Sequence, residues 1–171
     1  MTPTRLRVLR GSMAFAALAL ALVAVTSAQG RPDFSGRWRV SQAKSTAGAI
    51  GNGAKVTFSS ELIVKQSAGE LNVEMRFPRT DPLMATVYKL DGSEVTVPTP
   101  AGITEKARAA WDGEKIVITA RRVVSTAFGE FTTDTKEVWS LTPNTLTIAK
   151  TQTSEGLSDT ETAVFDKDQS S

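Results

Sequence analysis

The amino-acid sequence predicts an all-β protein, an antiparallel up-and-down meander closed into a barrel of about 8–10 strands. Two observations carry that expectation. Past residue 34, apolar and polar residues alternate with a period of two, and turn-forming pairs interrupt the alternation at short intervals. No segment after the N-terminal region has a helical period, although Ala43 to Gly53, rich in Gly and Ala, reads as a short helix or a lid.

The candidate strands run near 35–40, 60–66, 71–77, 84–90, 93–97, 103–111, 114–124, 130–141, 146–153 and 158–166. Between them stand Ala68-Gly69, Asp91-Gly92, Asp112-Gly113 and Pro143-Asn144, pairs suited to hairpin turns. Sequential hairpins leave bare edges on the first and last strands, and closure removes them.

Three turns test the register. With Asp112-Gly113 as the two turn residues, Trp111 faces Glu114, and Ala109 meets Ile116, Ala107 meets Ile118 and Glu105 meets Ala120 on one face. The other face pairs Arg108 with Val117 and Lys106 with Thr119, so one side is mostly apolar and the other mostly polar. Taken as a hairpin, Asp91-Gly92 sets Tyr88 against Val95 and Thr86 against Val97, with Lys89 and Glu94 outside. A loop over 67–70 sets Val64 against Val73 and Leu62 against Met75.

Extended to the remaining strands, the alternation stacks the interior in layers. The first holds Ala109, Ile116, Trp139, Ile148 and Ala163, with Leu141, Leu146 and Phe165 just beyond. The next holds Ala107, Ile118, Glu137, Lys150 and Glu161, and the third Glu105, Ala120, Thr135, Gln152 and Asp159, with Arg122 and Thr133 further on. The interior is thus apolar at one end and increasingly polar toward the other. Together with Tyr88 on the inward face of its strand, Glu105, Arg122, Thr133, Thr135, Glu137, Lys150, Gln152, Asp159 and Glu161 are the candidate ligand contacts. Glu105 and Arg122 lie diagonal, within cross-strand reach, and either clasp a guest's polar group or pair with each other at a wet mouth. Lys150 between Glu137 and Glu161 has the same two readings.

The N-terminal segment predicts export. Arg5, Arg7 and Arg10 precede an unbroken apolar run from Met13 to Val25, too short to span a bilayer but suited to a signal-peptide core. Thr26 and Ala28 then provide small residues before a cut at Gln29. The expected organisation is a signal peptide over 1–28 and a single domain over 29–171, exported to the periplasm or secreted. The alternatives for the apolar run are a single-span anchor or a buried helix. Without cysteine, a lipoprotein anchor is excluded.

Charge and composition narrow the function classes. The chain has 20 basic and 18 acidic residues; three arginines leave with residues 1–28, so the mature balance is 17 against 18. No basic patch points to nucleic acid or to a membrane surface, and no stable span remains after cleavage. The absence of histidine removes the usual general base and the commonest metal ligand, and with them any Ser–His–Asp relay. Lys150 between Glu137 and Glu161 favours both carboxylates staying ionised, which opposes acid–base pairing. No phosphate-binding loop, nucleophile elbow or calcium loop is present, so no cofactor, metal or catalytic residue is assigned.

The segment Phe34, Ser35, Gly36, Arg37, Trp38 resembles the Gly-x-Trp opening of lipocalins and the wider calycin group. The match from Pro32 to Trp38 and the Trp111 to Lys115 turn is similar to secreted bacterial lipocalin-like domains of uncharacterised function. The resemblance implies a lipocalin- or fatty-acid-binding-like barrel with Trp38 as plug of the closed end; Trp139, a large aromatic near a hairpin end, reads as a core plug as well, with pocket lining as the alternative for both. One departure is that no arginine follows Arg122, so the late arginine that stacks on the tryptophan in lipocalins has no counterpart. Three functions follow in order: an exported binding protein for a small, partly apolar ligand; a solidly packed structural or protein-interaction module of the cell envelope; and a cofactor-free barrel enzyme. The partner expected from the first is a small amphipathic molecule, and the sequence is silent on oligomeric state.

Overall fold

The computed structural model describes residues 30–49, 58–76 and 84–168. The segment read as a signal peptide lies outside them, as do residues 50–53 of the Ala43 to Gly53 stretch. Ten antiparallel strands follow in chain order: β1 (Gly36–Val40), β2 (Glu61–Gln66), β3 (Glu70–Arg76), β4 (Met84–Lys89), β5 (Asp91–Val97), β6 (Ile103–Asp112), β7 (Lys115–Thr126), β8 (Gly129–Thr142), β9 (Thr145–Ser154) and β10 (Leu157–Lys167). Each predicted strand is present. No helix occurs among the described residues; up to Ala49 the glycine-rich stretch is a turn tied to β10 by two 2.8 Å backbone bonds between Thr46 and Thr162.

All ten strands join one sheet in the order β4-β3-β2-β1-β10-β9-β8-β7-β6-β5. The sheet curls until β4 and β5 stand side by side, but no ladder joins them, so the barrel is nearly closed. This corrects the hairpin expected at Asp91-Gly92, in which Tyr88 would pair with Val95. Asp91 already pairs with Ala110 of β6, and a bulge between Asp91 and Glu94 turns β5 away from β4.

The β6–β7 hairpin carries a second correction. Asp112 pairs with Lys115, so the turn residues are Gly113-Glu114 and not Asp112-Gly113. Gly113 holds φ +61°, which fits a type II′ turn with glycine at its first central position. The strand slides by two residues, and the parity of every face survives. Trp111 therefore meets Ile116, Ala109 meets Ile118, Ala107 meets Ala120, and Glu105 faces Arg122 directly. The 67–70 loop is as expected, with Leu62 against Met75 and Val64 against Val73.

Alternation drives one face of every strand inward, and the buried face forms one core. At the closed end Trp38 and Phe34 are fully buried, and the Trp38 indole donates to the Phe34 carbonyl at 3.0 Å. The Phe34 ring lies 6.0 Å from that of Trp111 and 6.4 Å from that of Trp139, which is also buried. Gln66 ties the leading segment across this end, accepting from Phe34 N and donating to the Pro32 carbonyl, both at 3.0 Å. Lys167 supplies the cation over Trp38, its ammonium 5.3 Å from the ring centroid. A search for a late arginine overlooks that lysine.

Candidate functional site

Above the aromatic floor the barrel is not filled. A cavity of about 610 Å³ opens between the two halves of the curled sheet. Its apolar wall includes Leu62, Val73, Met75, Met84, Val97, Ile103, Ile118 and Ile148, brought together from strands β2 to β7 and β9. Seven of the predicted contacts line it as well: Tyr88, Glu105, Arg122, Thr135, Glu137, Lys150 and Gln152.

The remaining three lie outside that lining. Thr133 is half-buried opposite Arg122. Glu161 is buried as the register partner of Lys150. Asp159 accepts a hydrogen bond from Ala49 N at 2.8 Å and so holds the segment after Thr46. Gly48 makes that approach feasible: a Cβ there would come within 2.1 Å of the Asp159 carboxylate.

The cavity charges are arranged in pairs with one left over. Lys150 forms an ion pair with Glu161, both side chains nearly excluded from water. Its ammonium also lies 4.3 Å from the centroid of the Phe58 ring. Arg122 donates through Nε to Glu105 at 2.5 Å. The Arg122 side chain is 51% exposed and that of Glu105 only 12%, so the pair stands at the wet edge of the cavity. Glu137 receives only the Trp139 indole N–H, at 2.9 Å.

Burial pushes the Glu137 carboxyl above its ordinary range. The indole hydrogen bond and the Lys150 charge oppose the rise, while Glu105 and Glu161 add to it. Burial, followed by the charges of Glu137 and Glu105, raises the Tyr88 phenol too, so it stays a neutral hydrogen-bonding group.

Sequence reasoning missed Phe58 and Ser59, which precede β2 and line the cavity. Ser59 is 1% exposed, and its hydroxyl has no hydrogen-bond partner among the described residues. The alternation that places Leu62 and Val64 inward would place residue 60 inward, not 59. The chain departs from strand geometry there: Ser60 donates its N–H to Arg76, and both Ser59 and Glu61 are buried. No pattern of period two could have found this residue.

A second hollow, about 770 Å³, lies on the outer face of β5 to β9. Its two carboxylates are held in exposed pairs, Glu94 with Lys106 and Arg108, and Asp134 with Arg121, among threonines. It lacks the apolar enclosure that a small-molecule site uses.

No family model and no curated protein matches the sequence. Solved structures do match the fold. Secretory abundant heat soluble protein 4 from Ramazzottius varieornatus is 19% identical with a TM-score of 0.52, covering 82% of this chain and 97% of its own. Zebrafish ileal bile acid-binding protein, solved with cholic acid, is 13% identical with a TM-score of 0.53, covering 79% of this chain and 98% of its own. At such identities the likeness is one of fold: this chain has a calycin-like barrel similar to those of the lipocalin and fatty-acid-binding proteins.

Proposed function

We propose that the chain is an exported binding protein that holds a small, partly apolar molecule in its barrel. The observation that carries this reading is the cavity of about 610 Å³. That volume falls within the roughly 300–1,000 Å³ of ordinary small-molecule sites. Its make-up also fits, with aliphatic and methionine side chains for walls and a few convergent polar groups. The bile acid-binding structure of similar fold holds cholic acid, an amphipathic guest, which supports the same class of ligand here. Export is supported by the arginines at 5, 7 and 10, the apolar run from Met13 and the small residues before Gln29.

Native mass spectrometry of protein purified from its own host tests the binding. The expected result is a bound mass that organic extraction removes. Apoprotein alone, together with no uptake of any amphiphile in solution, would show the barrel to be a packed module. N-terminal sequencing of the exported protein tests the targeting and should begin near Gln29; intact Met1 in the membrane fraction would refute it.

A further inference from the structure

Two groups in the cavity are left incomplete by the protein itself. The Glu105 carboxylate has Arg122, and Glu161 has Lys150. Glu137 accepts from a neutral indole and faces Lys150 across the strands, but shares that one cation with Glu161, which forms the ion pair with it. The second group is Ser59, whose buried hydroxyl lines the same cavity with no partner among the described residues. The two belong to one region: Glu137 faces Lys150 across β8 and β9, and the Lys150 ammonium lies over the ring of Phe58, the neighbour of Ser59. A buried polar group without a partner carries a desolvation penalty, and a largely enclosed carboxylate that must share its cation carries a larger one. A ligand that completes both removes both penalties.

We propose that the guest of this barrel is a cationic amphiphile, a long-chain amine whose ammonium group sits on the Glu137 carboxylate and donates to the Ser59 hydroxyl, its chain lying along Met75, Met84, Val97 and Ile103. This rests on the cavity-binding reading above and names the ligand class for that same site. The charge count points the same way. Glu105, Glu137 and Glu161 stand against Arg122 and Lys150, so one negative charge is uncompensated. A monocation neutralises it. A fatty-acid carboxylate would double it, or would have to detach Arg122 from Glu105 or Lys150 from Glu161. Burial is the main cause that holds the Glu137 carboxyl above its ordinary range; the Trp139 indole and Lys150 oppose the rise, and Glu105 and Glu161 add to it. Tyr88 and Arg122 complete the titratable and charged groups lining the cavity around it.

The experiment displaces Nile red, a neutral dye, from the mature chain with dodecylamine, dodecanol and dodecanoate at about pH 7.5. The three probes share one hydrocarbon chain and differ only in head-group charge. Dodecylamine should bind at least about tenfold more tightly than dodecanoate, since pairing a buried charge is worth that much or more. Glu137→Gln, which retains an acceptor for the Trp139 indole, should abolish the preference for dodecylamine over dodecanoate. Ser59→Ala should weaken the amine by a smaller factor. Equal or tighter binding of dodecanoate would overturn the proposal, and so would an amine preference that survives Glu137→Gln in a variant of unchanged circular dichroism. If neither dye nor any of the three chains binds, the cavity-binding reading itself falls and this inference falls with it.

Discussion

Replacing Lys150 by methionine isolates the energetics of the buried ion pair. Lys150 and Glu161 are register partners on β9 and β10, with side chains only 11% and 6% exposed. Methionine keeps most of the lysine stem, so little of the effect comes from lost volume. What goes is the charge: Glu161 is left buried without its cation, Glu137 loses the positive charge opposite it, and Phe58 loses the ammonium 4.3 Å from its ring. Breaking a buried pair from one side costs about 3–5 kcal/mol. The cation–π contact, about 0.5–2 kcal/mol, lies within that figure. Replacing both partners, Lys150→Met with Glu161→Leu, should recover most of the loss, because the desolvation of both charges disappears together. Urea unfolding followed by tryptophan fluorescence measures both variants, with the slope expected to stay constant and the midpoint to move. A single-variant loss below about 1 kcal/mol would mean that the pair is hydrated and energetically like a surface bridge. A double variant less stable than the single one would mean that the pair is a net source of stability.

Trp38→Ala should cost about 3–5 kcal/mol by the same assay, the usual loss for a truncated buried aromatic; less than about 1 kcal/mol would place Trp38 outside the core. Glu137→Gln should flatten the dependence of stability on pH. The folded protein holds the Glu137 proton more tightly than the unfolded chain, whose ordinary value is 4.5, so wild-type stability falls as pH rises from there through the raised folded value. The glutamine variant should therefore gain on wild type as pH rises over that window, with Glu105, Glu161, Lys150, Tyr88 and Arg122 unchanged in both. A difference independent of pH would show Glu137 to be well hydrated. Glu155 holds φ +51° beside Gly156 at +81°, the pattern of a type I′ turn. Glu155→Asn, better suited to that conformation, should raise the unfolding midpoint by about 0.5–1 kcal/mol equivalent, and a loss would refute the turn assignment.

The strands were legible because nearly every one has a face toward the core and a face toward water. That is why Glu137, Lys150 and Gln152 could be placed inward from alternation alone. Relative sliding was less legible. Asp112-Gly113 carries two turn chemistries, a positive φ at Gly113 suits both, and only the pairing of Asp112 with Lys115 tells which two residues cap the hairpin. The error moved β6 by two positions and so kept its faces, while turning a diagonal Glu105–Arg122 contact into a direct one. The missing β4–β5 ladder was illegible for a different reason. Asp91-Gly92 has hairpin chemistry, but the backbone groups of β5 are claimed by β6, a long-range competition that local sequence does not encode. Ser59 lay beyond reach because it sits where strand periodicity stops, and Lys167 because charge over an aromatic ring can come from either basic residue.

The seam between β4 and β5 makes the barrel a curled ribbon and not a ring. Widening a true ring means breaking a ladder of hydrogen bonds along its whole length, each worth about 0.5–1.5 kcal/mol net. Here the girth changes when the sheet alters its curvature, with every existing ladder from β4 round to β5 kept intact. Only side-chain contacts across the seam are exchanged. Tyr88 and Met84 on one bank and Val97 on the other all line the cavity. The compliant part of the wall is therefore also part of the binding surface, and the interior can adjust to a guest's cross-section while the aromatic floor at Trp38 stays fixed.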